Sequence, residues 1–371
     1  FVYGIDNIDK IIKSNDTVIV DGNSGTIYVN PDEVVLHVFN AQIKDLEEEN
    51  SHLAKFKGKN ATTKDGVKIN INANIGNVEE GFLAFEDGAD GIGLFRSEFL
   101  FMEKADMSEE SQFAAYKQVL ETAKDKTVTI RTLDRGGDNI IKSPDIIQES
   151  ETNPLLGWRA IRFTLDNTDL FKTQLRALYR ASAFGNLKIM FPLISCHEQV
   201  MSVLKLVKEV QNQLSKENIP YNKDVPLGIM IETPAAALIA DHLAPTVSFF
   251  SIGTNDLTQY TTCVDRENAK VSHLFSEFHP AVIRLIKNTI EAGQNHNIDV
   301  SVCGELAGSI EGAILLVGMG VRTLSVSSRK INKIKEVLSR FSLQEIENIA
   351  LETLKHPDAQ AVLSTIKAFI K

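Results

Sequence analysis

Arg96, Arg131, Glu232, Asn255, Asp256 and Cys303 are six residues whose types, taken together, suit the handling of a phosphate and a carboxylate. Each ends or directly follows a short run of β-forming residues, as do Asp134 and Glu305. Glu232 and Asp256 come from neighbouring runs. Their oxygens suit a hard divalent cation and leave positions for water and substrate, which is how Mg2+ is usually held. Arginines arriving from other runs would complete a clamp on phosphate and carboxylate. Singly, each residue has a plainer reading. An Arg after a strand is commonly half of a surface ion pair, and a lone Cys is commonly a small buried residue. Glu232-Thr233-Pro234 and Asn255-Asp256 both precede helical stretches and could equally be helix caps.

What must position these residues is a regular alternation. Eight β-rich runs cover 68–73, 91–95, 127–133, 187–193, 227–231, 247–252, 300–303 and 323–326. Between them lie stretches with apolar residues at three and four spacing, among them 110–124, 168–183, 197–214, 235–242, 280–295 and 310–318. Repeated βα units of this number predict an α/β fold, a (β/α)8 barrel, with an open doubly wound sheet as the alternative. In a barrel, residues just past the strand C-termini share one mouth, which gathers the residues named above. No Gly-x-Gly-x-x-Gly follows the first of these runs, so a dinucleotide fold gains little support.

The N-terminal part reads differently. Residues 17–31 are two β-rich runs around Asp21-Gly22-Asn23-Ser24-Gly25, a hairpin pattern, and the charged stretch from about 32 to 57 reads as a solvated helix. The expected divisions are a hairpin remnant over 1–38, a linker helix over 39–60 and a barrel over 61–371. The chain begins Phe1-Val2-Tyr3-Gly4, which does not read as a secretory signal and suggests a piece of a longer protein.

A 43% apolar, 24% charged composition is that of a globular chain, and the longest apolar stretches fall short of the roughly 20 residues a membrane helix needs. With 49 acidic against 39 basic residues the net charge of −10 opposes a phosphate backbone, so neither nucleic acid nor membrane is an expected partner. Three scattered cysteines make no disulfide framework and point to a reducing, cytoplasmic setting.

Several segments match a known pattern. They are Gly91-Ile92-Gly93-Leu94-Phe95-Arg96-Ser97-Glu98-Phe99-Leu100-Phe101-Met102, Arg131-Thr132-Leu133-Asp134, Asn153-Pro154-Leu155-Leu156-Gly157-Trp158-Arg159-Ala160-Ile161-Arg162, Gly228-Ile229-Met230-Ile231-Glu232-Thr233-Pro234, Phe250-Ser251-Ile252-Gly253-Thr254-Asn255-Asp256-Leu257-Thr258-Gln259-Tyr260 and Cys303-Gly304-Glu305-Leu306-Ala307-Gly308. In this order they resemble the barrel of Enzyme I, the phosphoenolpyruvate-protein phosphotransferase family of bacterial sugar transport. Pyruvate phosphate dikinase and phosphoenolpyruvate synthase share much of the pattern. The short stretch from Asp134 to Trp158 is of the Enzyme I type, and residues 1–57 resemble the end of the family's phosphohistidine domain and its linker.

The resemblance implies a homodimeric barrel that binds phosphoenolpyruvate with Mg2+, or Mn2+ in its place, and releases pyruvate. The phosphoryl group would pass to a histidine of an N-terminal phosphohistidine domain and then to the carrier HPr. It implies Arg96, Arg131 and Arg159 at the phosphate, Asn255, Asp256 and Arg266 on the substrate, Glu232 and Asp256 on the metal, and Cys303 as the acid that protonates the enolate. A thiol, with a reference pKa of about 8.5, is still protonated near neutrality, as such a donor must be. Two departures stand out. Arg135 occupies a position that is usually apolar in the family, and none of the eight histidines lies in the Gly-Gly-x-x-Ser-His setting of the phosphoacceptor.

Overall fold

The computed structural model describes residues 8–22, 24–101, 108–135 and 151–371, and the chain divides into two compact units between Lys55 and Phe56. The smaller unit holds strands β1 (Val18–Asp21) and β2 (Thr26–Val29), paired antiparallel with Val18 opposite Val29, and a helix over Glu33–Leu53. That helix begins six residues before the expected linker boundary at 39. Its start is explained locally, because Asp32 Oδ1 accepts the Val35 N–H at 2.8 Å and caps the first turn.

The larger unit is the expected barrel. After the short β3 (Ala61–Thr62) come β4 (Lys68–Ile75), β5 (Ile92–Arg96), β6 (Thr127–Arg131), β7 (Asn186–Phe191), β8 (Leu227–Ile231), β9 (Phe249–Ile252), β10 (Asp299–Val302) and β11 (Thr323–Val326). Strands β4 to β11 pair in chain order, all parallel, and β11 returns to β4, with Thr323 beside Asn70, to close the ring. All eight expected runs are strands, and the open-sheet alternative is set aside by that last pairing.

Strand β4 shows how the sequence chooses its faces. Ile69, Ile71, Ala73 and Ile75 are buried among the outer helices, while Asn74, on the opposite face, reaches the neighbouring strand ends. Between the barrel wall and the helices lies one large hydrophobic core of aliphatic and aromatic side chains, which supplies the main hydrophobic driving force. A second cluster of Leu94, Met190, Met230, Phe249 and Cys303 packs together apart from that core.

Helices form where the three and four spacing predicts, including Glu109–Ala123, Thr168–Ala181, His197–Lys216, Pro280–Asn295 and Ile310–Gly318. The stretch at 235–242 differs, being two short helices, Pro234–Leu238 and Ala240–Leu243, with Ile239 out of helical geometry between them. Among the described residues no helix is long and apolar enough to cross a membrane. The part of the 134–158 insertion at 136–150, and Met102, lie outside the described residues.

Candidate active site

The C-terminal ends of β5, β6, β8, β9 and β10 carry the residues singled out by sequence, and the closed ring turns them toward one another. Which of them cap helices is settled locally. Thr233, not Glu232, caps the helix that starts at Pro234, its hydroxyl accepting the Ala236 N–H at 3.1 Å, so the Glu232 carboxylate is free of that duty. Asn255 and Asp256 sit inside the first turn of the helix Thr254–Thr262, whose cap position is Gly253. A Cβ on Gly253 would lie 2.9 Å from Glu232 Oε2, which explains the glycine there.

Three carboxylates meet. One oxygen from each of Asp134, Glu232 and Asp256 lies within 4.8 Å of the others, the only such group among the described residues. Asp134 was visible in sequence as a strand-end residue but had no metal role in that reading. Burial together with the neighbouring Asp134 and Asp256 charges drives the Glu232 carboxyl well above the ordinary carboxylate range. Its Oε1 accepts the Leu193 N–H at 2.6 Å. Leu193 holds a left-handed backbone, φ 55°, to present that N–H, a local strain of the kind found at functional sites. All three donors are carboxylate oxygens, so the set fits a hard divalent cation, and a cation there would relieve the repulsion that Glu232 carries.

Arginines surround the cluster. Arg131 pairs with Asp134 Oδ2 at 2.6 Å and Glu98 Oε1 at 2.7 Å, and Arg159 pairs with Asp134 Oδ1 at 2.8 Å and approaches Asp256 at 3.6 Å. Arg266 also reaches Asp256 at 3.6 Å from the following loop. Burial weakens both the Arg131 and Arg159 cations, but the adjoining carboxylates outweigh it and their pKa values rise. Asp134 is held below its ordinary range because Arg131 and Arg159 overcome the effect of burial. Arg96, exposed at the end of β5, makes no ion pair with a described residue, yet its charge bears on Asp134 and Cys303. Arg131 Nε and Glu98 Oε2 are buried without a partner among the described residues.

Cys303 is buried in the inner cluster, its thiol 3.7 Å from the Ile252 carbonyl, and burial pushes the thiol pKa up. Asn255 Oδ1 accepts the Glu305 N–H at 2.7 Å and so ties the β9 turn to the β10 turn.

Several supporting residues escaped the sequence reading. Glu98 and Tyr260 were visible only as letters of a motif. Tyr260 donates to the Leu155 carbonyl at 2.5 Å and accepts from Arg159 Nη1 at 3.4 Å. Asn74 Nδ2 donates to the Cys303 carbonyl at 3.0 Å, and Gln174 bonds the Leu133 N–H, Ser97 and Tyr116 behind the β5 and β6 ends. An Asn on a strand and a Gln on a helix carry no spacing signal that marks them. Arg135 uses its carbonyl to accept the Ala160 N–H, and Ala160, like Leu193, has a positive φ, 51°, just after Arg159.

Comparison with known proteins agrees with this geometry. Residues 50–343 match the family model described as PEP-utilising enzyme, PEP-binding domain. The phosphoenolpyruvate-protein phosphotransferase of Buchnera aphidicola subsp. Acyrthosiphon pisum is 42% identical over 370 residues, covering 100% of this chain and 64% of that protein. The proteins of the same name from Haemophilus influenzae and Borreliella burgdorferi are 40% and 39% identical, again over 100% of this chain and 64% of theirs. The chain thus spans a little under two thirds of these curated relatives. With the match extending over most of the barrel, and with the arginines and carboxylates of its motifs gathered at the mouth, the chain belongs to the PEP-utilising enzymes, of which it carries the PEP-binding domain.

Proposed function

We propose that the barrel mouth binds phosphoenolpyruvate with a divalent cation, Mg2+ or Mn2+ in its place, as the substrate-binding part of an Enzyme I type phosphotransferase. The observation that carries this reading is the meeting of Asp134, Glu232 and Asp256 among Arg131, Arg159 and Arg266, with a buried thiol close by. Glu232 and Asp256 would hold the cation, with Asp134 as a third carboxylate. When bound, the cation would neutralise charge on the phosphate and lower the cost of its transfer.

The chain's own residues do the rest. Arg96, Arg131 and Arg159 hold the phosphate, and Arg266 and Asn255 orient the remainder of the substrate. Catalysis of this kind is mostly positioning and charge stabilisation, which fixed guanidinium groups supply well. The bond from phosphorus to the enol oxygen breaks as the phosphoryl group leaves, and the electrons remain on the enolate. The enolate carbon then takes the proton of Cys303 Sγ to give pyruvate, and the thiolate recovers a proton from water. Burial suits Cys303 to this role by keeping the thiol protonated near neutral pH.

In the longer protein the acceptor is a histidine of an N-terminal phosphohistidine domain, from which HPr is phosphorylated. Residues 1–38 would be the end of that domain, 39–60 the linker, and 61–371 the barrel of a cytoplasmic homodimer. The relatives' name supports a protein as the phosphoryl acceptor, and their greater length supports a further domain in the whole protein.

Titration calorimetry with phosphoenolpyruvate, in Mg2+ and then in chelator, tests it. The expected result is saturable, Mg2+-dependent binding that pyruvate weakens by competition. Absence of binding in both conditions would overturn the proposal.

A further inference from the structure

We infer that Glu277 is a positioning residue which clasps the turn carrying Asn255 and Asp256 to the turn carrying Cys303, and so sets the spacing between carboxylate and thiol. The inference deepens the function proposed above and rests on it for its catalytic meaning. Glu277 lies at the end of the long excursion between β9 and the helix Pro280–Asn295, outside the motifs read from sequence. Its Oε1 takes two hydrogen bonds. One comes from the hydroxyl of Thr254, the residue before Asn255, and the other from the Leu306 N–H at 3.1 Å.

Three further contacts show that the two turns meet under constraint. Parallel pairing of β9 with β10 puts Ile252 beside Val302, so the turns leave the barrel side by side, and the Cys303 N–H bonds the Ile252 carbonyl at 3.0 Å. Asn255 Oδ1 accepts the Glu305 N–H at 2.7 Å. A Cβ on Gly304 would lie 2.6 Å from the Thr254 backbone nitrogen, so the backbones are as close as they can come. At this contact Thr254 is fully buried, and its hydroxyl and the Leu306 amide would both lose an acceptor without Glu277.

The clasp itself has a firm base. Phe278 packs on the main core, and His279 Nδ1 accepts the Ala281 N–H at 3.2 Å, which starts the helix at Pro280. A carboxylate fixed to a helix start is a better spacer than one on a free loop. The same excursion carries Arg266, which faces Asp256, so Glu277 also fixes the far end of the segment that brings this arginine in.

The test uses the whole chain and the thiol as its own reporter. Glu277→Gln keeps an acceptor oxygen for both donors, whereas Glu277→Ala removes it. Alkylation by iodoacetamide, resolved cysteine by cysteine by peptide mass spectrometry, reads the local opening at Cys303 against that at Cys196. Glu277→Ala is expected to speed Cys303 alkylation by about tenfold while leaving Cys196 within about twofold, with Glu277→Gln returning Cys303 to within about threefold of the parent. An unchanged Cys303 rate in Glu277→Ala, an equal rise at Cys196, or a Glu277→Gln variant that behaves like Glu277→Ala each overturns the inference. If Glu277→Ala fails to fold, Thr254→Val removes one donor alone and is expected to raise the Cys303 rate in the same direction; no rise overturns it. Failure of the parent chain to bind phosphoenolpyruvate sinks the proposed function instead, since alkylation needs no ligand.

Discussion

At the scale of single residues, the unusual expense in this barrel is Glu232, a buried carboxylate facing two others. Glu232→Gln would keep an acceptor for the Leu193 N–H while removing the charge. In chelator, that variant is expected to be more stable than the parent by about 1 kcal/mol, because an incompletely compensated buried charge is removed. Mg2+ should raise the melting temperature of the parent and not of the variant, since only a folded, charged site binds it. Calorimetric scans in the two conditions decide, and a variant still stabilised by Mg2+ would remove Glu232 from the metal site. Cys303 offers a second residue-scale prediction. Burial raises its pKa above the ordinary thiol range, so the thiol is protonated at neutral pH and its alkylation rate should still be climbing well into alkaline pH. A plateau below pH 8 would show a thiolate at neutral pH and exclude Cys303 as the enolate's acid. Cys303→Ala should leave phosphoenolpyruvate affinity nearly intact and slow pyruvate formation when the phosphohistidine half is supplied.

At the scale of elements, the site depends on strand ends being held at fixed offsets. The β5 and β6 ends are joined by Ser97 to the Arg131 carbonyl at 2.8 Å and by Gln174 behind them. The β9 and β10 turns are pressed together at Gly304, where a Cβ would overlap Thr254. Thr254 Oγ1 is a short side chain held by Glu277, and the Thr254 nitrogen is backbone, so neither can move aside cheaply. Gly304→Ala is therefore expected to separate the two turns, destabilising the chain by about 2 kcal/mol and weakening phosphoenolpyruvate binding by at least tenfold. Denaturant unfolding and calorimetry measure both, and wild-type values would mean the turns are freer than their contacts indicate.

At the scale of the molecule, the charge distribution runs against the average. The chain carries a net charge of −10, yet at the mouth Arg96, Arg131, Arg159 and Arg266 equal Glu98, Asp134, Glu232 and Asp256 in number, so a bound cation would tip the site toward an anionic substrate. All eight barrel strands and every residue of the candidate site lie within 56–371. A chain starting at Phe56 should therefore fold, melt within about 3 °C of the parent and bind phosphoenolpyruvate with Mg2+. Loss of cooperative unfolding in that truncated chain would show that residues before 56 complete the barrel.

Much of this was legible in the amino-acid order, for local reasons. Strands and helices announce themselves through the period of their apolar residues, and an eightfold βα alternation leaves few closed solutions. Arg96, Arg131, Glu232, Asp256 and Cys303 could be found because a strand end is a readable position and a barrel gives it meaning. Asp134 as the third carboxylate, Glu98 as the partner of Arg131, and Asn74, Gln174 and Glu277 as the residues that steady the turns were decided only by tertiary structure. Glu277 stands 23 residues from Thr254 in the chain and 29 from Leu306. A hydrogen bond across such separations follows from ring closure and strand register, and leaves no periodic trace in the sequence.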